Sequence, residues 1–201
     1  IIILPNYTKH MSGIAYLFSA NGDGANGTGY ILLAAASTKI ARYTITKGGF
    51  VAKDLFPTPL SGGDSPASYY CYVKQHGNKV YYTTPAYDGT TMTAQKIYRG
   101  ELSADGLSIT WESTPVVTDN YSPQFDVFTL CGHDILVYNS LDESYSYSPY
   151  REITLYDMTT KQVISIHAPI YVPSKNNYIR QSINTEVVDD THAYIYGFIP
   201  G

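Results

Sequence analysis

Cysteine is nearly missing: the 201 residues hold two, Cys71 and Cys131. Neither belongs to a C-x-x-C pair and no histidine stands at ligand spacing beside them, so no zinc site and no metal cofactor is expected. Their separation of 60 positions leaves open one disulfide or two buried free thiols. Charge is also scarce, with 13 Lys and Arg against 17 Asp and Glu and a formal net charge of −4. A chain with no basic surplus has little to neutralise a phosphate backbone, which argues against a nucleic-acid partner. No apolar run approaches the roughly 18 to 20 residues of a membrane span, so no transmembrane segment is expected. "IIILP" at the start is too short for a signal-peptide core. The chain opens on Ile1 and not Met, and any targeting signal is expected to have preceded it.

Tyrosine is plentiful instead: 21 Tyr stand against 6 Phe and 1 Trp, among 16 Gly and many Ser and Thr. That mixture favours strands and turns over helices. A tyrosine ring packs while its hydroxyl stays wet, which suits half-exposed strands and equally a surface that stacks on a ligand. The length accommodates one domain with a real core, or one repeat array.

A repeat is present. "IIILP", "KDLFP", "WESTP" and "SIHAP" end at Pro5, Pro57, Pro115 and Pro169, spaced 52, 58 and 54 residues apart. A second set keeps step: "GTGYILLAA" from Gly27, "GNKVYYTTP" from Gly77, "GHDILVYNS" from Gly132 and "DTHAYIYGF" from Asp190. Each is a small or polar turn followed by an apolar strand, usually with another strand before it. A third set reads as hairpins turning at Lys47-Gly48-Gly49, Asp105-Gly106 and Thr159-Thr160-Lys161. The unit is therefore four strands closing on a proline that cannot donate to a ladder.

Four-stranded units of this period resemble the blades of β-propellers. The resemblance implies an all-β chain whose residues 1–201 form a single propeller domain or a propeller fragment. Blade-like units would end near residues 5, 57, 115 and 169, with 176–201 a partial blade. The ring would have about four blades closed by strands from both ends, or the chain would be part of a larger propeller. In the style of its blades the chain also resembles the surface propeller lipoproteins of Bacteroidetes, which implies ligand capture at a cell surface.

"NGDGANGTG", residues 21–29, contains Gly22-x-Gly24-x-x-Gly27. In a dinucleotide fold those glycines open a helix and a parallel strand follows. Here the next residues align with the later strands, so a turn is expected. Asn21, Asp23 and Asn26 do not reproduce the spacing of a calcium loop, because Ala25 and Leu32 fall where oxygen ligands are needed.

"SADGLSITW" resembles the Asp-box of sialidase-like and related propellers, with Ser103, Asp105, Thr110 and Trp111 matching in type and Gly106 one place early. Asp-boxes are structural turns between the third and fourth strands of a blade, so the resemblance implies fold and not an active site. A sialidase also needs a three-arginine clamp for a carboxylate. Of Arg42, Arg99, Arg151 and Arg180, three fall on third-strand segments, away from where a central axis is expected. His10, His76, His133, His167 and His192 share no register, and no Ser-His-Asp triad stands out. No catalytic residue and no cofactor is therefore assigned.

Two insertions lengthen the connection between second and third strands: "TTPAYDGTTMTAQ" and "NSLDESYSYSPYRE". Long loops on a rigid scaffold are where recognition tends to live, and clustered Tyr, Ser and Gly resemble binding-loop chemistry. Tyr87, Tyr145, Tyr147 and Tyr150 are the candidate ligand-binding residues, for a small molecule, a glycan or a protein. Low charge and few thiols favour an extracellular or cell-surface location, where the sequons at Asn6, Asn26 and Asn120 gain meaning. Two other classes remain: a structural subunit of a phage tail, fibre or extracellular filament within a larger assembly, and a propeller glycosidase or lyase.

Overall fold

The structure is a computed structural model that describes residues 12–18, 29–36, 39–46, 49–60, 71–84, 95–120, 125–141, 150–171 and 182–198. Every regular element among them is a β-strand. The chain divides into two compact units, Ile1–Thr118 and Asp119–Gly201.

In the first unit, β1 (Ser12–Phe18), β2 (Gly29–Ala36), β3 (Lys39–Thr46) and β4 (Gly49–Pro57) pair in sequential order as one antiparallel sheet. A second sheet follows in the same order, from β5 (Tyr72–His76), β6 (Lys79–Thr83), β7 (Gln95–Leu102) and β8 (Ile109–Trp111). β9 (Val117–Asn120) lies off that path beside β7, with Val116 N donating to Ile97 O. In the second unit, β10 (Asp126–Leu130), β11 (His133–Leu141), β12 (Tyr150–Asp157) and β13 (Gln162–Tyr171) make a third sequential sheet. β14 (Ser182–Asp189) and β15 (His192–Phe198) form a two-stranded sheet.

The glycine-rich stretch lies at 21–28, outside the described residues, but its flanks decide its class. β1 and β2 are antiparallel neighbours, with Phe18 opposite Gly29. A dinucleotide motif requires a helix next and a parallel strand beyond it. The alanines that follow are strand residues of β2 instead.

Tight turns explain the registers. Gly77 (φ 58°) and Gly132 (φ 77°) sit in two-residue hairpin loops, where a left-handed backbone matches the twist of the flanking strands. Cys131 (φ 51°) shares the second loop although it carries a Cβ. Prolines act at sheet margins: β4 ends on Pro57, and β8 stops short of Pro115. β13 runs through Pro169, and the ladder slips between Arg151 and Ile153 on the facing strand. A bulge of this kind is where a residue without an N–H fits inside a sheet.

Each unit has its own core. In the first, Ile40 and Phe56 of one sheet meet Cys71, Val73, Val80, Tyr82 and Leu102 of the other, with Leu60, Ile109 and Trp111 at the margin. Burial of this aliphatic and aromatic surface is the main force holding the two sheets together. In the second, Phe128, Ile135 and Val137 pack on Ile183, flanked by Ile153, Leu155, Ala193 and Ile195. Asp126 adds a polar tie there: its Oδ2 accepts from Thr185 N at 2.8 Å and Thr185 Oγ1 at 2.9 Å. Among the described residues, consecutive burial covers both faces of β6 through Val80, Tyr81 and Tyr82, of β10 through Asp126, Val127 and Phe128, and of β11 from Ile135 to Asn139.

Candidate functional site

Antiparallel order sorts the connections. Within each of the second and third sheets, the first-to-second and third-to-fourth turns share one end, and the second-to-third connection leaves from the other. Leu102 N donates to Asn78 O, and Met158 N to Asp134 O, which marks the shared ends. The tyrosine-bearing connections after β6 and after β11 thus emerge at the equivalent end of their own sheets. Tyr87, Tyr145 and Tyr147 themselves lie outside the described residues. Tyr150 opens β12 opposite Tyr171.

At the other end of the second sheet sits the Asp-box-like hairpin between β7 and β8. Ser103 Oγ donates to Asp105 Oδ1 at 2.6 Å and accepts from Leu107 N and Ser108 N at 3.1 and 3.0 Å. Asp105 Oδ1 also accepts from Leu107 N at 3.0 Å. These donors, Ser103 first, hold the Asp105 carboxyl below its usual range. Gly106 takes the left-handed backbone (φ 68°) that closes the loop. Trp111 then crosses to the first sheet of the unit, Nε1 donating to Pro57 O at 2.9 Å, with its ring edge-on to Tyr82 at 6.2 Å. Ser103 and Asp105 thus shape the turn, and Trp111 ties β8 to the first sheet.

A hollow of about 470 Å³ opens beside this hairpin, lined by Lys79, Glu101, Ser103, Ala104, Thr110 and Glu112 over the strands at Gly100 and Trp111. Alternation places Thr110 and Glu112 on the sheet face opposite to Trp111. Lys79 faces Glu101 in register, and Glu101 faces Thr110. Lys79 Nζ lies 2.9 Å from Glu101 Oε2, and Asn78 Nδ2 donates to Glu101 Oε1 at 3.0 Å. Lys79, then Asn78, lower the Glu101 pKa. Arg99 Nε donates to Glu112 Oε1. The charges at the rim are therefore paired across the sheet, Lys79 with Glu101 and Arg99, through Nε, with Glu112.

Other polar groups build turns. His133 Nδ1 lies 2.7 Å from Asp157 Oδ2, while Asp157 Oδ1 accepts from Thr159 N and Thr160 N at 2.8 and 3.0 Å. Asp157 is consequently held well below the usual carboxylate range, His133 first among the causes. Asp189 accepts from Thr191 N and Oγ1 and contacts His192 in the β14–β15 turn. Among the described residues no three His, Cys, Asp or Glu side chains gather where a metal ion could sit, and no helix is long and apolar enough to cross a membrane. Both cysteines are free, Cys71 buried and Cys131 exposed on its turn, so the structure has neither of the two alternatives left open by the sequence, the disulfide or a pair of buried thiols. Cys71 is buried and receives the Tyr82 hydroxyl at 3.3 Å, and desolvation pushes its thiol up to about 11. Asn120 is fully buried in β9, so its sequon is closed to glycosylation in the folded chain.

No protein-family model matches this chain, and no curated protein matches it significantly.

Proposed function

We propose that the protein is a β-propeller, or a large part of one, that binds a ligand without transforming it, through connections at one end of its sheets. The observation that carries this reading is the two-sided burial of β6 and β11. A middle strand of a propeller blade lies between two neighbouring blades, and so is covered on both faces. When the faces of the middle strands are occupied, the ends of the sheets are what remains for recognition. Three successive four-stranded meanders followed by a partial one support the same architecture. The ligand is a small molecule, glycan or protein at an extracellular or cell surface, met by Tyr87, Tyr145, Tyr147 and Tyr150.

The test is a glycan array and a pull-down on the intact chain, repeated with Tyr145→Ala and Tyr147→Ala. Each variant is expected to lose roughly tenfold or more in affinity with an unchanged melting temperature, as for an aromatic contact removed from a binding centre. Full retention of binding when both tyrosines are replaced together rejects the assignment.

A second reading has its own support. β14 and β15 expose Val188, Tyr194 and Tyr196, at 57%, 66% and 54%. Apolar side chains adjoining on one hairpin suit a contact with another subunit, as in a fibre or filament. Mass photometry across a dilution series separates the two, because a structural subunit remains assembled and a ligand-capture protein does not.

A further inference from the structure

The hollow beside the β7–β8 hairpin is lined by described residues and stands apart from the tyrosine connections. Its volume, about 470 Å³, is within the range of small-molecule sites, roughly 300 to 1,000 Å³. Its chemistry narrows the ligand. Lys79 is matched to Glu101 and Arg99 to Glu112, so the rim has donors and acceptors of both kinds and no spare charge. A lone anion would face Glu101 and Glu112 as well as Lys79 and Arg99, and a lone cation would face Lys79 and Arg99 as well as the two carboxylates, so the balanced rim offers neither a net attraction. A neutral polyhydroxylated molecule breaks neither pair. Its hydroxyls, each both donor and acceptor, can use the further lone pairs of Glu101 and Glu112, the remaining protons of Lys79 and the exposed hydroxyl of Thr110. Cross-strand register sets Lys79, Glu101 and Thr110 side by side on one sheet face before a ligand arrives.

We propose that this hollow is a second binding site of the protein, and that its ligand is a neutral saccharide. Lys79, Glu101, Thr110 and Glu112 supply the hydrogen bonds, and the Ser103–Ser108 turn supplies a rigid wall. The site is independent of the tyrosine connections and needs no closed propeller.

Amide chemical shifts of the intact protein are followed while methyl glycosides of glucose, mannose, galactose and N-acetylglucosamine are titrated, with glucuronate as the charged comparison. At least one neutral glycoside is expected to shift the amides of Glu101, Ser103, Thr110 and Glu112, with a dissociation constant on the order of 1 mM. Thr110→Val and Glu101→Gln should each weaken that response roughly tenfold, whereas Tyr145→Ala leaves it unchanged. Thr110 and Glu101 are both exposed, and the spectrum itself reports whether each variant is folded. Silence of those amides for every neutral glycoside up to ~50 mM, far above specific affinities, overturns the proposal. A response to glucuronate alone overturns it as well, because the paired rim would then have failed to exclude charge.

Discussion

Gly100 shows what a single missing atom permits. It pairs across the sheet with Trp111, and a Cβ built on it would stand 2.7 Å from both Ile109 Cγ2 and Trp111 Cε3. The constraint is space and not backbone freedom. The indole covers the glycine, as aromatic residues do opposite gaps in a sheet. Gly100→Ala is therefore expected to cost ~1–3 kcal/mol by overpacking, read as a lower urea midpoint with an unchanged m value. The motif around Ser103 and Asp105 was legible because its partners lie within five residues. The burial of Asn120 was not, since the sequon marks a chemical acceptor and says nothing of the strand that encloses it. The paired states of Arg99 and Lys79 were equally hidden, for both depend on cross-strand register.

Among the elements, the β10–β14 contact combines apolar packing with one carboxylate. Asp126 is buried and receives two donors from Thr185, 59 residues further along the chain. Removing it takes the acceptor from the half-buried Thr185 N–H and hydroxyl, a loss of about 1 kcal/mol. In Asp126→Ala, amides of β14 should exchange faster with deuterium than in the parent, while those of β6 and β7 keep their protection. Equal acceleration throughout would mean that the tie has no local role. Strands and tight turns were readable from alternation and from glycines such as Gly77 and Gly132. The Asp126 tie was not, because no local pattern distinguishes an aspartate that opens a strand from one that fastens two sheets. The slip opposite Pro169 escaped for a related reason: a proline marks where pairing must change, and only the facing strand decides whether the chain stops or bulges.

Taken over the molecule, acids at the hairpins govern the response to pH. Glu101, Asp105, Asp157 and Asp189 all have lowered pKa values, through Lys79, Ser103, His133 and the Thr191 N–H respectively. A depressed folded pKa means that the unfolded chain takes up protons first as the solution is acidified. Their stabilisation is thus complete above the unfolded carboxylate range, about pH 4, and is lost as pH falls through the folded values. The melting temperature should be flat with respect to these groups from neutrality down to about pH 5 and decline below about pH 4, and Asp157→Asn should make the acid decline shallower. An acid limb unchanged in that variant would remove Asp157 from the account. All-β character was legible from tyrosine, glycine and turn spacing, since those act locally. The covering of β6 on both faces was not, as a strand of apolar and hydroxyl residues reads alike with one wet side or none. The two thiols differ in a way that has a practical use. Cys71 is buried with its pKa at about 11, whereas Cys131 lies exposed at a turn. At neutral pH a maleimide should couple to Cys131 alone, and that turn is at the end of its sheet opposite the 142–149 connection. A sensor chip grafted through this thiol would hold every molecule in one orientation, with the Leu141 end of β11 directed away from the support.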